Sequence, residues 1–288
     1  MDLTIRLLLG ILLSGLIAFV AWRRASLSAS GALGAVIVGT AIFGFGGLAW
    51  GMLLITFFVL STLLSHYKEG LKERIAAEKF DKGSVRDIGQ ALANGGAGAL
   101  IAALAYLAYP DPVMLAAFVG AMATVNADTW ATEIGVLARS EPRLLTTMQP
   151  VEPGTSGGVT GVGTLATAAG GLAIGLSALL FLGFDAPLRT VGLQALAYPG
   201  ADRLIWLLPV SLLGGLAGSL FDSLLGATIQ SIYWCPTCQK ETEKHLLHTC
   251  GTPTQPARGW RWLNNDLVNF SASVVGALIG AGVWLLLV

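Results

Sequence analysis

Runs of about 20 apolar residues, each long enough to cross a lipid bilayer as a helix, recur along this chain. An ordinary soluble domain has roughly 25% charged residues, whereas charged residues make up 12% and hydrophobic residues 54% of this one. The predicted spans are Leu3–Trp22, Ala29–Phe45, Leu48–His66, Gln90–Tyr109, Pro112–Ala138, Val159–Phe184, Leu204–Ile229 and Asn265–Val288. The predicted fold is therefore an all-α integral membrane bundle of about eight helices, a single polytopic domain over residues 1–288.

Two of these segments have alternative interpretations. The second is short and rich in glycine, so it could be re-entrant instead of spanning. The first could be mistaken for a signal peptide, but its apolar run is longer than a typical signal core. Arg23 and Arg24 follow it directly, which favours a retained anchor.

The distribution of basic residues predicts the orientation. The connections after the first, third, fifth and seventh spans hold 2, 6, 2 and 4 basic residues, which is 14 of 17. The other three are Arg6, Arg189 and Arg203. Because short basic loops stay in the cytoplasm, we expect a multi-pass protein of the cell membrane with both termini outside. The net charge is zero, so nothing indicates a nucleic-acid partner.

Acidic and amide residues gather at the predicted cytoplasmic ends of four spans. They are Asn94, Asn126, Asp128, Glu133, Asp222, Gln230, Asn265, Asp266 and Asn269. A carboxylate within a span costs about 2.5 kcal/mol or more to insert and usually marks function, although Asp266 could merely favour a helix start. The spans around these acids contain no Lys or Arg to neutralise them. We therefore expect Asp128, Glu133 and Asp222 to bind Mg²⁺, which is often held by carboxylates together with substrate phosphates.

Two segments beside these acids suit phosphate groups. Lys82 and Arg86 place two cations before the fourth span. The glycine and hydroxyl loop Gly154–Gly161 precedes the sixth span, and backbone amides in such a loop favour anions. Its candidate binding residues are Thr155, Ser156, Gly157 and Gly158. The loop is not a P-loop, because no Gly-Lys-Ser/Thr sequence follows it.

A cytoplasmic loop over residues 231–262, between the last two spans, contains all three cysteines. Cys235, Cys238, His248 and Cys250 supply four ligands within 16 residues, two of them as a C-x-x-C pair. This pattern predicts a structural Cys₃His zinc site. His245 is a competing fourth ligand, and a metal-free loop or a disulfide is the alternative, although disulfides are rare in the cytoplasm.

Four motifs together resemble one membrane family. They are Arg86-Asp-Ile-Gly-Gln-Ala-Leu-Ala-Asn94-Gly, Asn126-Ala-Asp128-Thr-Trp-Ala-Thr-Glu133-Ile-Gly, Gly154-Thr-Ser-Gly-Gly-Val-Thr and Gly218-Ser-Leu-Phe-Asp222-Ser-Leu-Leu-Gly-Ala-Thr-Ile-Gln. The family is domain-of-unknown-function ninety-two, also called the transmembrane-protein-nineteen family. The resemblance runs from about Ala21 to the C-terminus, and the segment from Trp262 to Asn269 and the Cys/His loop fit its prokaryotic members.

This resemblance implies an activity. Plant members of the family are phytyl-phosphate kinases, and the family is distantly similar to membrane enzymes that use CTP. We therefore expect an isoprenoid-monophosphate kinase that uses a nucleoside triphosphate, CTP being favoured, with Mg²⁺ as cofactor. The prenyl tail would lie in a glycine-lined groove open to the membrane lipids.

Two other function classes remain open at this stage. A lipid-phosphate cytidylyltransferase could use the same residues. A cation-coupled transporter could bind its ion at the acids, but transporters often have repeated halves and sites near the middle of the membrane. The sequence has no clear internal repeat, and its polar groups gather on one side.

Overall fold

The apolar segments form helices in a computed structural model that describes residues 2–76, 78–189 and 199–288. Within these ranges eight helices are long and apolar enough to cross a membrane, which confirms the predicted all-α membrane fold. The helices are α1 (Leu3–Arg23), α2 (Ala29–Ala41), α3 (Leu48–His66), α4 (Glu69–Ala76), α5 (Ile88–Leu107), α6 (Pro112–Gly135), α7 (Gly161–Arg189), α8 (Leu207–Thr228) and α9 (Asn265–Leu287). Helix α4, which has 8 residues, is too short to cross the membrane.

Five short strands lie in the described parts of the connections. They are β1 (Arg143–Leu144), β2 (Gly158–Val159), β3 (Ile232–Cys235), β4 (Lys240–Thr242) and β5 (Gln255–Arg258). The first two strands form an antiparallel pair between α6 and α7. The other three form an antiparallel sheet in the order β4-β3-β5, between α8 and α9. We call this segment, residues 231–262, the Cys/His loop.

The second apolar segment has the length of a spanning helix. The α2 helix continues through a π-helical turn, Ile42–Gly46, and the two together make 18 residues. At a rise of 1.5 Å per residue this helix is about 27 Å long, close to the hydrocarbon thickness of a bilayer. Gly47 then ends the turn with a φ of 91°. Its length therefore favours the spanning interpretation over the re-entrant one.

Polar side chains set the starts of several helices. Ser28, Asp111 and Asn264 each accept a hydrogen bond from a backbone amide in the first turn that follows. Asp87 forms a capping box with Gln90, in which each side chain accepts from the other residue's backbone N–H. A cap of this kind satisfies amides that lack a partner in the helix. The fourth spanning helix therefore begins at Ile88, two residues before the predicted start.

The core is built around α6, whose residues from Leu115 to Ala127 are all buried. Small residues let α8 and α9 approach it closely: a Cβ added to Gly120 would overlap the backbone of Gly276. Thr124 Oγ1 donates to the carbonyl oxygens of Gly120 and Gly214, both at 3.0 Å. Helix association in lipid depends on such close packing and on hydrogen bonds between helices. This packing gives the side chains at the end of α6 a rigid support.

The connections that follow α1, α3, α6 and α8 meet at one end of the bundle, which we call the basic face. The first two connections touch through backbone hydrogen bonds between Ser28 and Arg86 and between Arg86 and Ser26. The second and fourth touch where the Glu243 amide donates to the Lys79 carbonyl oxygen, and the third and fourth touch where Ser156 Oγ donates to Glu243. All four predicted basic connections therefore lie together.

The predicted orientation places the basic face in the cytoplasm. A reporter inserted at Gly83 should be protected in intact cells, and an epitope tag after Val288 should bind antibody from outside. The physical reason is the excess of Lys and Arg in the connections at the basic face. Exposure of the Gly83 reporter on intact cells would contradict the orientation.

Candidate functional site

A cavity of about 560 Å³ opens at the basic face. Described residues from every helix between α3 and α9 and from three connections line it. The cavity brings together thirteen of the predicted site residues: Lys82, Arg86, Asn94, Asp128, Glu133, Thr155, Ser156, Gly157, Gly158, Asp222, Asn265, Asp266 and Asn269. Lys82 and Asp266, which are 184 residues apart in sequence, thus meet in one polar cavity.

Of the residues predicted to bind Mg²⁺ or the substrates, Asn126 is the one that does not line this cavity. Its side chain is fully buried, and its Nδ2 donates to the Gly170 carbonyl oxygen at 2.7 Å. Gly170 lies on α7, and a Cβ there would touch the α6 backbone. The structure therefore gives the Asn126 amide nitrogen a packing role between α6 and α7, and the predicted contact of this residue with a cofactor stays a prediction. The sequence could not reveal this, because helical spacing identifies a face but not the neighbour that covers it.

Asp128 of α6 and Asp222 of α8 both line the cavity. Asp128 Oδ1 accepts a hydrogen bond from Ser219 Oγ of α8 at 3.2 Å. The Oδ2 atom of Asp222 is buried and has no hydrogen-bond partner among the described residues. Among the described residues, no basic side chain lies within 4.0 Å of the Asp128 or the Asp222 carboxylate. These two acids therefore keep unused ligand capacity and uncompensated negative charge.

Glu133 differs from these two acids, because it has a basic partner. Lys72 of α4 forms an ion pair with it, and Ser65 Oγ donates to its other oxygen at 2.6 Å. Lys72 Nζ also donates to the carbonyl oxygens of Leu64 and Ser65. The expectation of acids without basic partners is wrong here, because the connection after α3 folds back over the cavity. Among the described residues, the three acids predicted to hold Mg²⁺ do not converge into one ligand cluster.

Asp266 also has a basic partner. Lys82 Nζ lies 2.5 Å from Asp266 Oδ2 and 2.9 Å from Asp87 Oδ2. Burial by itself would lower the pKa of Lys82, but the hydrogen bonds to Asp266 and Asp87 outweigh it and raise the pKa above its usual value. One lysine charge is therefore shared between two acids, at the point where α5 meets α9.

Arg86 is a cavity cation that lacks a carboxylate partner among the described residues. Its guanidinium donates to Thr62 Oγ1 at 3.0 Å and to Ser65 Oγ at 3.4 Å. No carboxylate oxygen of the described residues lies within 4.0 Å of it. Burial lowers the pKa of Arg86, and the charge of Glu133 acts in the opposite direction. An arginine stays protonated under such a shift, so Arg86 presents a positive charge that an anion could neutralise.

The glycine and hydroxyl loop lies against the end of α8. Gly157 has a φ of 82°, and a Cβ there would overlap the Ala227 backbone, so both the conformation and the contact require glycine. Thr160 Oγ1 accepts from the Gly163 amide and so caps the start of α7. Within the described chain, the Ser156 and Gly157 amides donate to no protein group. The loop therefore offers two backbone amides, those of Ser156 and Gly157, that could donate to an anion.

Glu243 is a cavity residue that the sequence analysis missed. It comes from the Cys/His loop, and its Oε1 accepts from Ser156 Oγ at 2.7 Å and from Gln230 Nε2 at 2.8 Å. Burial raises the pKa of its carboxyl, and the charge of Asp81 adds to the rise. Glu243 lies in the run Lys240-Glu-Thr-Glu-Lys244, which is typical of a solvated loop, so the local sequence carried no signal.

This raised pKa predicts a pH-dependent stability effect of Glu243→Gln. The folded state holds the proton more tightly than the unfolded state, so ionisation costs stability as pH rises above the unfolded pKa of about 4.3. The variant avoids that cost and should have a higher thermal unfolding temperature than the wild type at pH 8. The difference should disappear near pH 4, and an equal difference at both pH values would contradict the argument.

The Cys/His loop brings Cys235, Cys238, His248 and Cys250 together. Their ligand atoms all lie within 4.8 Å of one another, and the cysteines form no disulfide. Cys235 Sγ is 3.6 Å from Cys250 Sγ, and His248 Nδ1 is 3.3 Å from Cys250 Sγ. These separations fit ligands about 2.0–2.3 Å from a tetrahedral zinc ion. The residues therefore form a cluster that could hold a metal such as zinc.

His245, the competing fourth ligand, lies outside this cluster. Its ring packs edge-on against Tyr233, with centroids 5.0 Å apart. His248 is buried beside the sulfur atoms and has only 3% of its surface exposed. The geometry therefore favours His248 as the histidine ligand.

Zinc analysis of the purified protein should find about one ion per chain, the number for one closed four-ligand site. Cys235→Ser should lose the metal and unfold at a lower temperature, because metal binding stabilises the folded loop. His245→Ala is a matched control in the same loop and should keep the metal. A folded and active protein without metal would overturn the zinc assignment.

The family described as integral membrane protein DUF92 matches residues 12–277, which is most of the chain. The chain belongs to this family. The match begins earlier than Ala21, where the sequence motifs had placed its start.

Relatives in the family come from plants and archaea. The chain is 35% identical to Protein PGR of Arabidopsis thaliana, over 92% of this chain and 91% of that protein. It is 30% identical to the uncharacterized membrane protein MJ0933 of Methanocaldococcus jannaschii, over 97% and 95%. It is also 28% identical to the chloroplastic protein VTE6 of Arabidopsis thaliana, over 88% of this chain and 64% of that protein. No solved structure matches the chain.

Proposed function

We propose that this protein is an Mg²⁺-dependent isoprenoid-monophosphate kinase. It transfers a phosphoryl group from a nucleoside triphosphate, CTP being favoured, to a prenyl monophosphate at the membrane surface. The observation that carries the proposal is the cavity itself. Among the described residues, Asp128 and Asp222 have no basic partner, and they share the cavity with Arg86, which has no acidic partner. Phosphoryl transfer requires mainly such positioning and charge neutralisation.

Family membership supports the same reaction class. The resemblance described above implies phytyl-phosphate kinase activity for plant members, and VTE6 of Arabidopsis thaliana is among the relatives. A prenyl monophosphate is an amphiphile, so its kinase needs a polar cavity at the membrane surface. The cavity at the basic face has this position, at the ends of spanning helices.

The residues present fit a magnesium ion. The unpartnered Oδ2 of Asp222 and the weakly engaged carboxylate of Asp128 are hard oxygen ligands. Mg²⁺ is commonly held by one or two carboxylates together with substrate phosphates, so these two acids suffice without Glu133. When bound, the ion would neutralise charge on the donor phosphates.

The chain's own residues would position the two substrates. The Ser156 and Gly157 amides would donate to donor phosphate oxygens, and the Arg86 guanidinium would hold the acceptor phosphate. An oxygen of the prenyl phosphate bonds to the γ-phosphorus of the donor. The bond from that phosphorus to the β,γ-bridging oxygen breaks, and the nucleoside diphosphate leaves with the electron pair. No general base is required, because a phosphate monoester with a second pKa of about 6 is already anionic at neutral pH.

The proposal is tested by incubating the purified protein with prenyl monophosphates and labelled nucleotides. We expect γ-labelled nucleotide to yield labelled prenyl diphosphate and unlabelled nucleoside diphosphate. A cytidylyltransferase would instead release pyrophosphate and transfer an α-label to the lipid. Absence of γ-label from every prenyl acceptor would contradict the kinase assignment.

A further inference from the structure

A second, apolar cavity of about 80 Å³ adjoins the polar one. Residues of α1, α2, α3 and α5 line it, and we call it the apolar groove. Its buried wall includes Val38, Phe43, Phe57 and the two glycines Gly39 and Gly95. The hydroxyl of Ser14, the polar group on this wall, already donates to the Gly10 carbonyl oxygen at 2.5 Å. The wall therefore suits hydrocarbon.

The apolar groove meets the polar cavity at Arg86, Gln90 and Asn94. These three residues line both cavities. A ligand placed across this junction would have one end among carboxylates, amides and a guanidinium, and the other end against aliphatic and aromatic side chains. The junction therefore matches an amphiphile with a small polar head.

Charge identifies the sign of that head. Lys72 is paired with Glu133, and Lys82 is shared between Asp87 and Asp266. Arg86, at the junction itself, is oriented by the hydroxyls of Thr62 and Ser65 and has no carboxylate within 4.0 Å in the described parts of the chain. A buried positive charge without an acidic partner favours an anionic head group.

From these contacts we infer that the apolar groove binds the hydrocarbon next to the phosphate of an anionic isoprenoid lipid, with the phosphate at Arg86. This inference rests on the proposed kinase function and adds the location of its lipid substrate. The expected groove for the tail is thus assigned to four helices, α1, α2, α3 and α5.

The groove's size limits what it holds. A water-sized group needs roughly 10–15 Å³ of such a cavity, so a cavity of about 80 Å³ holds only a short piece of hydrocarbon, about the first isoprene unit after the phosphate. Its rim is formed by half-exposed side chains on α1 and α3, among them Ile17, Ile55 and Phe58. These helices span the membrane, so the rest of the chain would pass between them into the lipid. Binding should therefore depend on the first isoprene unit and little on total chain length.

A photoaffinity experiment tests the location without requiring catalysis. The probe is a prenyl monophosphate with a diazirine on its first isoprene unit, added to the protein in phosphatidylcholine vesicles without nucleotide. Peptide mapping should find the label on α1, α2, α3 or α5, near Ile17 or Ile55. Label confined to other helices, or no label at all, would overturn the inference.

Two matched variants on α3 sharpen this test. Ile55→Trp would fill the groove from its rim, whereas Val59→Trp places the same ring one turn away at an exposed position outside the groove. The added ring in Ile55→Trp should exclude the equivalent of two methylene groups of the lipid from the apolar groove. Photolabelling of this variant should therefore be about tenfold weaker than that of the wild type. Val59→Trp should be labelled as strongly as the wild type. An equal loss of labelling in both variants would contradict a specific groove.

The outcomes separate this inference from the kinase proposal. Label in the groove without phosphoryl transfer from any nucleotide would retain the lipid site and overturn the kinase. Phosphoryl transfer with label elsewhere would retain the kinase and overturn this site. Since the wild-type map needs no variant, the result stands even if Ile55→Trp fails to fold.

Discussion

Asp128→Asn and Asp222→Asn should each lower phosphoryl transfer by about a thousandfold or more, the scale of a lost charge-neutralising group in this chemistry. Each substitution keeps the size of the side chain but removes the negative charge that Mg²⁺ requires. Because neither carboxylate has a basic partner among the described residues, removing its charge should spare or raise thermal stability. The measurements are the prenyl-phosphate assay and thermal unfolding in detergent.

Asp202→Asn is the matched control for these variants. Asp202 is an exposed residue shortly before α8, outside the cavity. It should keep wild-type turnover and stability. If Asp128→Asn and Asp222→Asn also keep near-normal turnover, the metal site lies elsewhere.

Glu133→Gln should destabilise the protein by about 3 kcal/mol or more, because it leaves the buried Lys72 ammonium without its partner. The side chains of Lys72 and Glu133 are 10% and 21% exposed, so solvent compensates little of this loss. Since Glu133 is engaged by Lys72 and Ser65, higher Mg²⁺ should not restore activity. The measurement is the free energy of unfolding in detergent.

The double variant Lys72→Met with Glu133→Gln tests whether the ion pair causes this effect. Removing both charges should recover part of the stability lost in the single variant, because no buried charge then lacks a partner. Full recovery is not expected, since Lys72 also donates to the carbonyl oxygens of Leu64 and Ser65. A double variant no more stable than Glu133→Gln alone would contradict the pairing argument.

The fold was predictable from the sequence because its signals are local. Long apolar runs determine the spanning helices, although the start of the fourth, which the Asp87 cap sets, was predicted two residues late. The membrane also leaves few alternatives, since backbone groups in lipid must bond within helices. The C-x-x-C pair likewise predicted a cluster whose ligands are near one another in sequence.

The missed features depend on contacts between distant segments. Lys72 reaches Glu133 across 61 residues, and Glu243 reaches Ser156 across 87. Asn126 and Glu133 lie on the same face of α6. Helix α7 covers this face at Asn126, whereas the face lines the cavity at Glu133. Periodicity describes one helix, whereas these outcomes depend on how neighbouring helices and loops fold onto it.

The half-exposed rim of the apolar groove also determines which substrate concentration would control the proposed kinase. A lipid that enters between α1 and α3 arrives by diffusion in the plane of the bilayer and never passes through water. Its effective concentration is then its mole fraction among the membrane lipids, and the amount per volume of buffer is irrelevant. Turnover in vesicles should fall when inert phospholipid dilutes a fixed amount of substrate, and should stay constant when the whole vesicle suspension is diluted with saturating nucleotide.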